Sequence, residues 1–469
     1  DDVGTEGEVR HELAVHHVEL DDVAARLVEC PDLLAEPREV GGKDGGGDLD
    51  GQRHAITLVG GLRTVPWVVR RAPYADAVDS PVQTHDVTIE KLVAGGDGLA
   101  RLADGRVVFV PAVVPGENVT IEVRETRRDF GRASVVSIGS PSAQRRVPPC
   151  PQVALGCGGC DWQHIDPVAQ SDIKRDIVVE AFARTARIEI DPAMHRLPDT
   201  ARRTTVRMVA DANGSLGFRA GESHDIVVAP SCMVAHDLIN GFITEPVLDG
   251  AGEVTIRVGA CTDDIGVFAH EGQLARTLRA GVKTGERGTV REQVAGHEYA
   301  VSMGSFFQSS PEAAELIIAS VSRALDGLGI EGGSLLDAYG GVGLFSLAFS
   351  QRFDELVLVE SSPHACRDAV RNLAECAAVI EQSDMDHWEP IEVDTVIADP
   401  ARQGLGKLGA AAVIDTGAST VVLVSCDPVA GARDAKLLTD NGYELGGIEV
   451  LDIFPETHHV EVVSTFTRG

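Results

Sequence analysis

The 469-residue chain has few aromatic residues and few basic ones. Phe, Trp and Tyr make up 4% of the sequence, and 41 Lys and Arg residues stand against 72 Asp and Glu residues, which gives a formal net charge of −31. Proteins that bind nucleic acid over their whole surface neutralise phosphates with a broad basic face, so this balance argues against a general nucleic-acid binder. A local basic surface stays open, because net charge does not say where the charges lie.

Long apolar runs are also missing from the sequence. No run approaches the roughly 20 residues that a membrane helix needs, and the opening DDVGTEGEVRHEL has no basic segment followed by an apolar core. We therefore expect no membrane association, no secretory signal and a cytoplasmic location. The chain still has 43% apolar residues, enough for a sizeable core, and its length suggests about three domains.

Residues 1–80 show little sustained periodicity. They contain acidic clusters, a Gly-rich stretch from Gly41 to Gly51, and one strand-like alternation near Ile56–Val69. We leave this segment without a fold assignment. A disordered or lineage-specific extension is the ordinary interpretation, and a segment that is not native coding sequence is the second.

From His85 onwards, short strands alternate with turns. HDVTIEKL, RVVFV, ENVTIEVRET and GRASVVSI read as strands, with Gly-rich and Pro-Gly turns between them. Several short strands over about 60 residues predict a small barrel of the oligonucleotide-binding type, which we place at residues 84–142.

Basic residues gather locally in and after this barrel. They lie at Arg124, Arg127, Arg128, Arg132, Arg145 and Arg146, and again at Lys174–Arg175 and Arg202–Arg207. A solvated surface is the usual interpretation of such a run. On a barrel of this type, within so acidic a chain, it favours a local nucleic-acid-binding track. We therefore expect RNA binding to depend steeply on salt.

Four of the nine cysteines have the spacing of metal ligands. Cys150, Cys157 and Cys160 lie close together, and Cys232 follows at long range. Three neighbouring thiolates with a distant fourth predict a metal centre. Zinc is the simplest alternative, while a cubane iron–sulfur cluster takes one thiolate at each of its four irons. We assign this centre to a central domain, residues 143–305, which also contains an amphipathic helix at about 166–186.

Residues 306–469 alternate helices with apolar strands. The pattern predicts a helix over 311–328 and strands at SLLDAY, ELVLVE, DTVIAD and STVVLVSC. Such alternation implies an α/β fold with a parallel, doubly wound sheet.

The first of these strands runs into a glycine loop. Asp337 precedes GGVGLFS, and the next strand ends in Glu360. Glycines let the backbone approach an adenosyl ligand, and the later acid can bind ribose hydroxyls. Ser346 stands where a dinucleotide fingerprint requires a third Gly or Ala. The pattern therefore favours S-adenosylmethionine (SAM), with an ordinary strand–helix turn as the alternative.

Two further strand ends carry reactive side chains. Asp399 and Pro400 follow DTVIA, and Cys426 follows STVVLVS. Ligands of open α/β sheets bind at the carboxyl edge of the strands. A lone cysteine is ordinarily a small core residue, but this position and the Asp-Pro that follows favour a functional thiol.

At this point several segments are recognisable together. CGGCDWQH, LGFRAGESHDIV, SFFQSS, LLDAYGGVG, DPAR, SCDP and FPETHHVE occur in the order found in RNA (uracil-5-)-methyltransferases. Over roughly residues 84–469 the chain resembles that family, most closely the subgroup with an N-terminal TRAM barrel and an iron–sulfur centre. The resemblance implies a Rossmann-like SAM methyltransferase domain at 306–469. It also implies a 4Fe–4S cluster on the four clustered cysteines and an RNA substrate, either tRNA or rRNA. We expect a monomer.

The resemblance also implies roles for individual residues. Cys426 is the nucleophile that adds to carbon 6 of uracil, and Glu461 is the base that removes the proton from carbon 5. Asp399 hydrogen-bonds the uracil edge, and Phe306 stacks on the extruded base. The implied cofactor contacts are Gln308, Tyr339, Gly341, Glu360, Asp384 and Asp399.

Two other functions compete with this interpretation. One is a non-catalytic iron–sulfur RNA-binding protein on the same scaffold, and the other is an oxidoreductase with a dinucleotide in the glycine crevice. The set of Cys426, Asp399 and Glu461 argues against the first, and Ser346 argues against the second. A single Glu in a C-terminal strand is ordinarily a surface residue, so the role of Glu461 depends on the family motif.

Overall fold

The structure is a computed structural model that describes residues 84–198, 202–221 and 223–469. The predictions for residues 1–80, including the strand-like stretch near Ile56–Val69, lie outside these ranges. None of the helices in the described ranges combines the length and the apolar character needed to cross a bilayer.

The N-terminal part of the described chain is a six-stranded curled sheet. Its strands are β1 Thr84–Thr88, β2 Lys91–Leu92, β3 Gly98–Arg101, β4 Val107–Val110, β5 Asn118–Thr126 and β6 Phe130–Ser140, in the order β1-β5-β6-β4-β3-β2. Alternate residues such as Val108, Val119 and Ile121 face inward and are buried. The buried residues of this sheet form one apolar core together with Trp162, Ile165 and residues of the helix over 167–181.

A second sheet follows, with helices on either side of it in the sequence. Helix α1 spans Pro151–Ala154, and α2 spans Pro167–Ala181 and continues into a π-helical turn, Phe182–Ala186. The sheet order is β10-β9-β8-β11-β12-β13. Its strands are β8 Thr205–Ala210, β9 Leu216–Arg219, β10 Ile226–Val228, β11 Gly252–Val258, β12 Ile265–Glu271 and β13 Lys283–Thr284, with α3 at Asp237–Ile243 between β10 and β11. A hairpin, β14 Thr289–Val294 and β15 His297–Ser302, leads to the last part of the chain.

The C-terminal part contains an eight-stranded sheet with helices packed against it. Its order is β18-β17-β16-β19-β20-β22-β21-β7. The strands are β7 Ala193–Arg196, β16 Ser334–Ala338, β17 Glu355–Glu360, β18 Ala378–Gln382, β19 Thr395–Ala398, β20 Thr420–Ser425, β21 Glu444–Asp452 and β22 Glu461–Thr467. The helices are α4 Pro311–Leu328, α5 Leu344–Ala348, α6 Pro363–Asn372, α7 Gly406–Asp415 and α8 Pro428–Asp440.

The four strands predicted for this sheet, β16, β17, β19 and β20, run parallel as expected, whereas β22, for which no direction was predicted, does not. Strand β22 runs antiparallel to β20, with Ser425 opposite Val462. Residues 453–460, which connect β21 to β22, are too few for the crossover that a parallel pair requires. The reversed direction has a functional result, because it brings the first residue of β22, Glu461, to the carboxyl end of β20.

Strand β7 pairs with β21 at the edge of this sheet although it lies far away in the sequence. Helix α2 also packs against α8 and β21. The division into domains at 84–142, 143–305 and 306–469 stays a prediction, and the segment from α2 to β7 contacts the C-terminal sheet directly.

Candidate active site

The carboxyl ends of four parallel strands form one edge of the large sheet. Tyr339 follows β16, Glu360 ends β17, Asp399 follows β19 and Cys426 follows β20. Parallel strands present these ends to the same crevice, where ligands of α/β sheets bind. The structure thus brings together residues that were identified from four separate segments.

Cys426, Asp399 and Glu461 form the reactive part of this edge. Burial raises the pKa of the Cys426 thiol to about 12, and the carboxyl groups of Glu461 and Asp399 add to the shift. Burial and the charge of Asp337 raise the pKa of Asp399 to about 7. Glu461 is 3% exposed, and burial beside Asp399 raises its pKa well above the ordinary value. Burial thus shifts all three groups towards their protonated forms relative to the same groups in water.

Glu461 keeps one carboxyl oxygen without a partner. Its Oε1 is buried and accepts no hydrogen bond within the described chain. Unpaired buried polar atoms are rare in folded proteins, and they occur at sites that bind or transform a ligand. Nearby, the buried Gln308 donates a long hydrogen bond of 3.4 Å from Nε2 to Asp399 Oδ2. Gln308 and Asp399 thus lie on the same side of the crevice.

The glycine loop is held by the acid at the end of β17. Glu360 accepts hydrogen bonds from the backbone nitrogens of Gly341 (3.0 Å) and Ser362 (2.5 Å). Gly341 has a φ of +56°, in the left-handed region that glycine favours. Asp384 is next to Ser383, whose nitrogen donates to the carbonyl of Glu360 (3.0 Å). The predicted cofactor residues therefore surround one crevice.

Two residues in this crevice, Ser346 and Asp337, make a structural contact that was not expected from the sequence. Ser346, which breaks the dinucleotide pattern, donates from its backbone nitrogen (2.8 Å) and its hydroxyl (2.7 Å) to Asp337. Asp337 is fully buried, and burial raises its pKa to about 7. The Ser346–Asp337 contact joins α5 to β16 beneath the glycine loop.

Phe306 protrudes from a firmly held loop. Its side chain is 74% exposed, while the neighbouring Ser305 and Phe307 are buried. Asp368 accepts hydrogen bonds from the nitrogen (2.7 Å) and hydroxyl (2.6 Å) of Ser302 and from the hydroxyl of Ser305 (2.7 Å). Arg257 donates to the carbonyls of the same two serines, at 2.7 and 2.8 Å. An exposed aromatic ring on a rigid loop suits stacking against a base.

Sequence reasoning missed two residues at the edge of the site. Arg402 Nη2 lies 3.3 Å from His459 Nε2. Burial and the neighbouring cationic side chains lower the pKa of His459 to about 3, so its ring is neutral. Arg402 belongs to DPAR and His459 to the terminal motif. The two motifs could have been expected to meet, but nothing in either segment specifies this contact.

The four predicted metal ligands line one cavity. Cys150, Cys157, Cys160 and Cys232 surround a space of about 280 Å³ together with Arg203. Burial raises the pKa of Cys160 to about 12, and it also raises the pKa of Cys157 and of Cys232. Repulsion between neighbouring thiolates adds to each of these shifts.

Two hydrogen bonds from neighbouring segments hold this cavity in shape. The nitrogen of Cys150 donates to Gln163 Oε1 (3.1 Å), and the nitrogen of Cys232 donates to Asn240 Oδ1 (2.7 Å). In the described ranges, no three His, Cys, Asp or Glu side chains approach closely enough to ligate a single metal ion.

The predicted basic track needs correction. Lys174 is fully buried and pairs with Asp452 (2.5 Å), and the Arg145 guanidinium pairs with the buried Glu117 (2.6 Å). Both are structural ion pairs and not RNA contacts.

The arginines at the end of the barrel remain exposed, but each has an acidic neighbour. The pairs are Arg124–Glu122, Arg127–Glu125, Arg128–Asp129 and Arg132–Asp97. These surface pairs are weak, so phosphates can compete for the arginines.

A doubly wound sheet with a glycine loop, an acid at the end of the second strand and reactive side chains at two further strand ends defines a Rossmann-like methyltransferase. The TRAM domain family matches residues 80–136. An uncharacterized RNA methyltransferase of Streptomyces avermitilis is 33% identical over 424 residues, covering 81% of this chain and 98% of the relative. The 23S rRNA (uracil(1939)-C(5))-methyltransferase of Shewanella amazonensis is 30% identical, covering 81% of this chain and 94% of the relative. This chain belongs to the RNA (uracil-5-)-methyltransferase family.

The fold agrees with a solved structure. The tRNA (uracil-54, C5)-methyltransferase of Pyrococcus abyssi, crystallised with S-adenosyl-L-homocysteine, superposes with a TM-score of 0.63 and 24% identity. The match covers 81% of this chain and all of that chain. This likeness shows the fold, and the relatives show that the protein is an RNA methyltransferase. The predictions of this family, of the α/β fold with an N-terminal TRAM domain, and of an enzyme are confirmed.

Proposed function

We propose that this enzyme methylates carbon 5 of a uridine in rRNA or tRNA through a covalent bond between Cys426 and the base. The observation that carries the proposal is the meeting of Cys426, Asp399 and Glu461 at one sheet edge, with Glu461 Oε1 buried and unpaired within the described chain. Uracil C5 methylation needs a nucleophile, a group that recognises the base and a proton acceptor, and these three residues can supply them.

The reaction begins when Cys426 gives its proton to water and its sulfur adds to carbon 6 of uracil, which makes carbon 5 an enolate carbon. That carbon takes the methyl group of SAM as the sulfonium–methyl bond breaks and S-adenosylhomocysteine forms. The Glu461 carboxylate then takes the proton from carbon 5, and the carbon–sulfur bond breaks to return the Cys426 thiolate. The raised pKa of Glu461 makes its carboxylate a stronger base than an ordinary glutamate.

Recognition of the base is proposed for Asp399 and Phe306. An ionised Asp399 accepts a hydrogen bond from the uracil imide, and the exposed Phe306 stacks on the base once it leaves its own helix. Gln308, Tyr339, Gly341, Glu360 and Asp384 would hold SAM in the crevice.

We propose a 4Fe–4S cluster as the occupant of the cysteine cavity. Four partly buried thiols line a space of about 280 Å³. A cluster of four irons places one thiolate at each corner, so its ligands stand further apart than those of a single metal. The iron would also offset the negative charge that deprotonated thiols create together. Cys150, Cys157, Cys160 and Cys232 would hold the cluster, with Arg203 beside it.

The proposal is tested with labelled SAM and unmodified total RNA. We expect label in 5-methyluridine with the wild-type enzyme and none with Cys426→Ala. Glu461→Ala is expected to trap a protein–RNA adduct that survives denaturation, because addition proceeds while elimination stalls. Label in another nucleoside would overturn the proposed product, and no transfer at all would favour an RNA-binding protein without catalysis. Mapping 5-methyluridine in a strain that lacks the gene identifies the target RNA.

A further inference from the structure

Residues 453–460 connect β21 to β22 and end at the proposed base, Glu461. We call residues 454–460 the active-site loop. Its centre is Glu456, which has a φ of +68°, a left-handed conformation that is unfavourable for a residue with a side chain. Such a conformation persists only where the surroundings enforce it.

Every polar group of Glu456 is bonded to a distant segment. Its nitrogen donates to Gln170 Oε1 (3.0 Å), and its carbonyl accepts from the nitrogen of Trp162 (3.0 Å). Its carboxylate accepts two hydrogen bonds from Arg146 Nη2, at 2.6 and 2.5 Å, and one from Gln170 Nε2 (3.2 Å). Arg146, Trp162 and Gln170 thus hold this one loop residue in place. Arg146 and Trp162 lie on either side of the cysteines at 150–160, and Gln170 lies on helix α2.

The two ends of the active-site loop are held from the same side. At its start, the buried Lys174 donates to the carbonyl of Phe454 (3.0 Å) while pairing with Asp452. Towards its end, the nitrogen of His458 donates to Asp161 Oδ1 (3.2 Å), and His458 Nδ1 lies 2.6 Å from Asp161 Oδ2. The His458 ring packs on His459, with centroids 4.0 Å apart.

The TRAM sheet closes this arrangement from the third side. Trp162 Nε1 donates to the carbonyl of Gly96 (3.2 Å), in the turn between β2 and β3. A Cβ on Gly96 would lie 2.9 Å from His458 Cβ and 3.0 Å from Asp161 Oδ2. Only glycine leaves room for the turn to approach the Asp161–His458 pair so closely.

We propose that Arg146, Asp161, Gln170 and Lys174 form a clamp that positions the active-site loop and, through it, Glu461. None of these residues is among those proposed to contact the base or SAM, so their proposed effect on the reaction passes through the loop. Asp161 directly follows Cys160, so one segment supplies both a thiol of the cysteine cavity and a clamp residue. The inference rests on the proposed function, because it assigns the clamp to the step in which Glu461 removes the proton.

The experiment measures adduct formation as well as turnover. In Arg146→Ala and in Asp161→Asn, we expect kcat for RNA methylation to fall by roughly 100-fold, the loss that a displacement of about 1 Å can cause. The KM for SAM should change little. The covalent protein–RNA adduct should accumulate, as in Glu461→Ala, because only the elimination is slowed. Arg146→Lys keeps a cation beside Glu456 and should restore part of the turnover.

Arg323→Ala is the matched control. Arg323 also makes two hydrogen bonds to a glutamate, Glu449 on β21 (3.0 and 2.6 Å), which lies outside the active-site loop. It should leave turnover and adduct level unchanged. Adduct accumulation in the Arg146 and Asp161 variants alone supports the clamp.

Two results would overturn the inference. In the first, the clamp variants turn over more slowly without accumulating the adduct, while Glu461→Ala does accumulate it. This result contradicts the proposed role of the clamp and leaves the proposed function intact. Absence of adduct in Glu461→Ala removes the covalent mechanism and the clamp with it. Because Arg146→Ala risks failing to fold, Asp161→Asn and Arg146→Lys carry the comparison, with thermal unfolding measured for each variant.

Discussion

Asp399 couples base recognition to pH. Its pKa is raised to about 7 by burial and by the charge of Asp337, whereas an ordinary aspartate ionises near 4. A protonated carboxyl cannot accept the imide hydrogen bond as strongly as a carboxylate, and the thiol of Cys426 also needs to lose its proton. Both effects favour the reaction as pH rises.

We therefore predict that kcat/KM for RNA increases as pH rises through about 7. The measurement is initial methylation rate at low RNA concentration across this range. Thermal unfolding at each pH serves as the control, because it separates titration of the site from loss of structure. A flat or falling profile would contradict the proposed role of Asp399.

Among individual residues, some members of the candidate site could be predicted from the sequence and others could not. Cys426 and Asp399 stand at ends of apolar strands, where position alone indicates a ligand crevice. The pairing of Asp161 with His458 could not be predicted, since the two residues are 297 positions apart and neither segment specifies the other. Contacts of this range depend on how whole elements pack.

Among the elements, the loop from Ser302 to Gln308 presents Phe306. Asp368 on helix α6 and Arg257 on strand β11 hold it from two different elements. Asp368 accepts three short hydrogen bonds in a buried position, and the loop therefore depends on one carboxylate.

Asp368→Asn should loosen this loop. We expect the KM for RNA to rise, the dissociation constant for SAM to stay the same, and the stability to fall by roughly 1–3 kcal/mol through the impaired buried hydrogen bonds. Steady-state kinetics, calorimetry with SAM and denaturant unfolding measure the three quantities. Val370→Thr, at an exposed position of the same helix, is the matched control. An unchanged KM for RNA would separate the loop from substrate binding.

Element prediction worked best where the pattern is local. The helix expected over 311–328 is observed as Pro311–Leu328, because Ser310 caps it, Pro311 suits its first turn and Gly329 ends it. The direction of β22 was not predicted, because the alternation of apolar residues carries no direction. The length of the connection at 453–460 is the signal that could have indicated it.

For the whole molecule, the net charge of −31 argues only against a protein that binds nucleic acid over its whole surface, and it leaves a local RNA-binding surface open. We propose that the exposed arginines near the end of the TRAM domain form that surface, while Arg145 and Lys174 are engaged in structural ion pairs. The monomer and the cytoplasmic location stay predictions.

The salt dependence of RNA binding should follow the exposed arginines alone. We predict that Arg128→Ala, at a side chain that is 95% exposed, reduces the slope of log Kd against log salt by about 1. Arg145→Ala should leave the slope unchanged, because Glu117 already occupies that guanidinium. Filter binding over a range of salt concentrations provides the slopes. Equal loss of slope in both variants would restore Arg145 to the RNA-binding surface.

The place of β7 in the large sheet has a consequence for biosynthesis. This strand leaves the ribosome early, yet its partner β21 is translated only after β16 to β20. Until then the edge of β7 has no partner in that sheet, and helix α2 lacks the surface on which it packs. Nascent chains expose such edges to unwanted pairing. The methyltransferase sheet can therefore be completed only near the end of translation, and chaperones that shield nascent strands would be needed longest by the segment from α2 to β7.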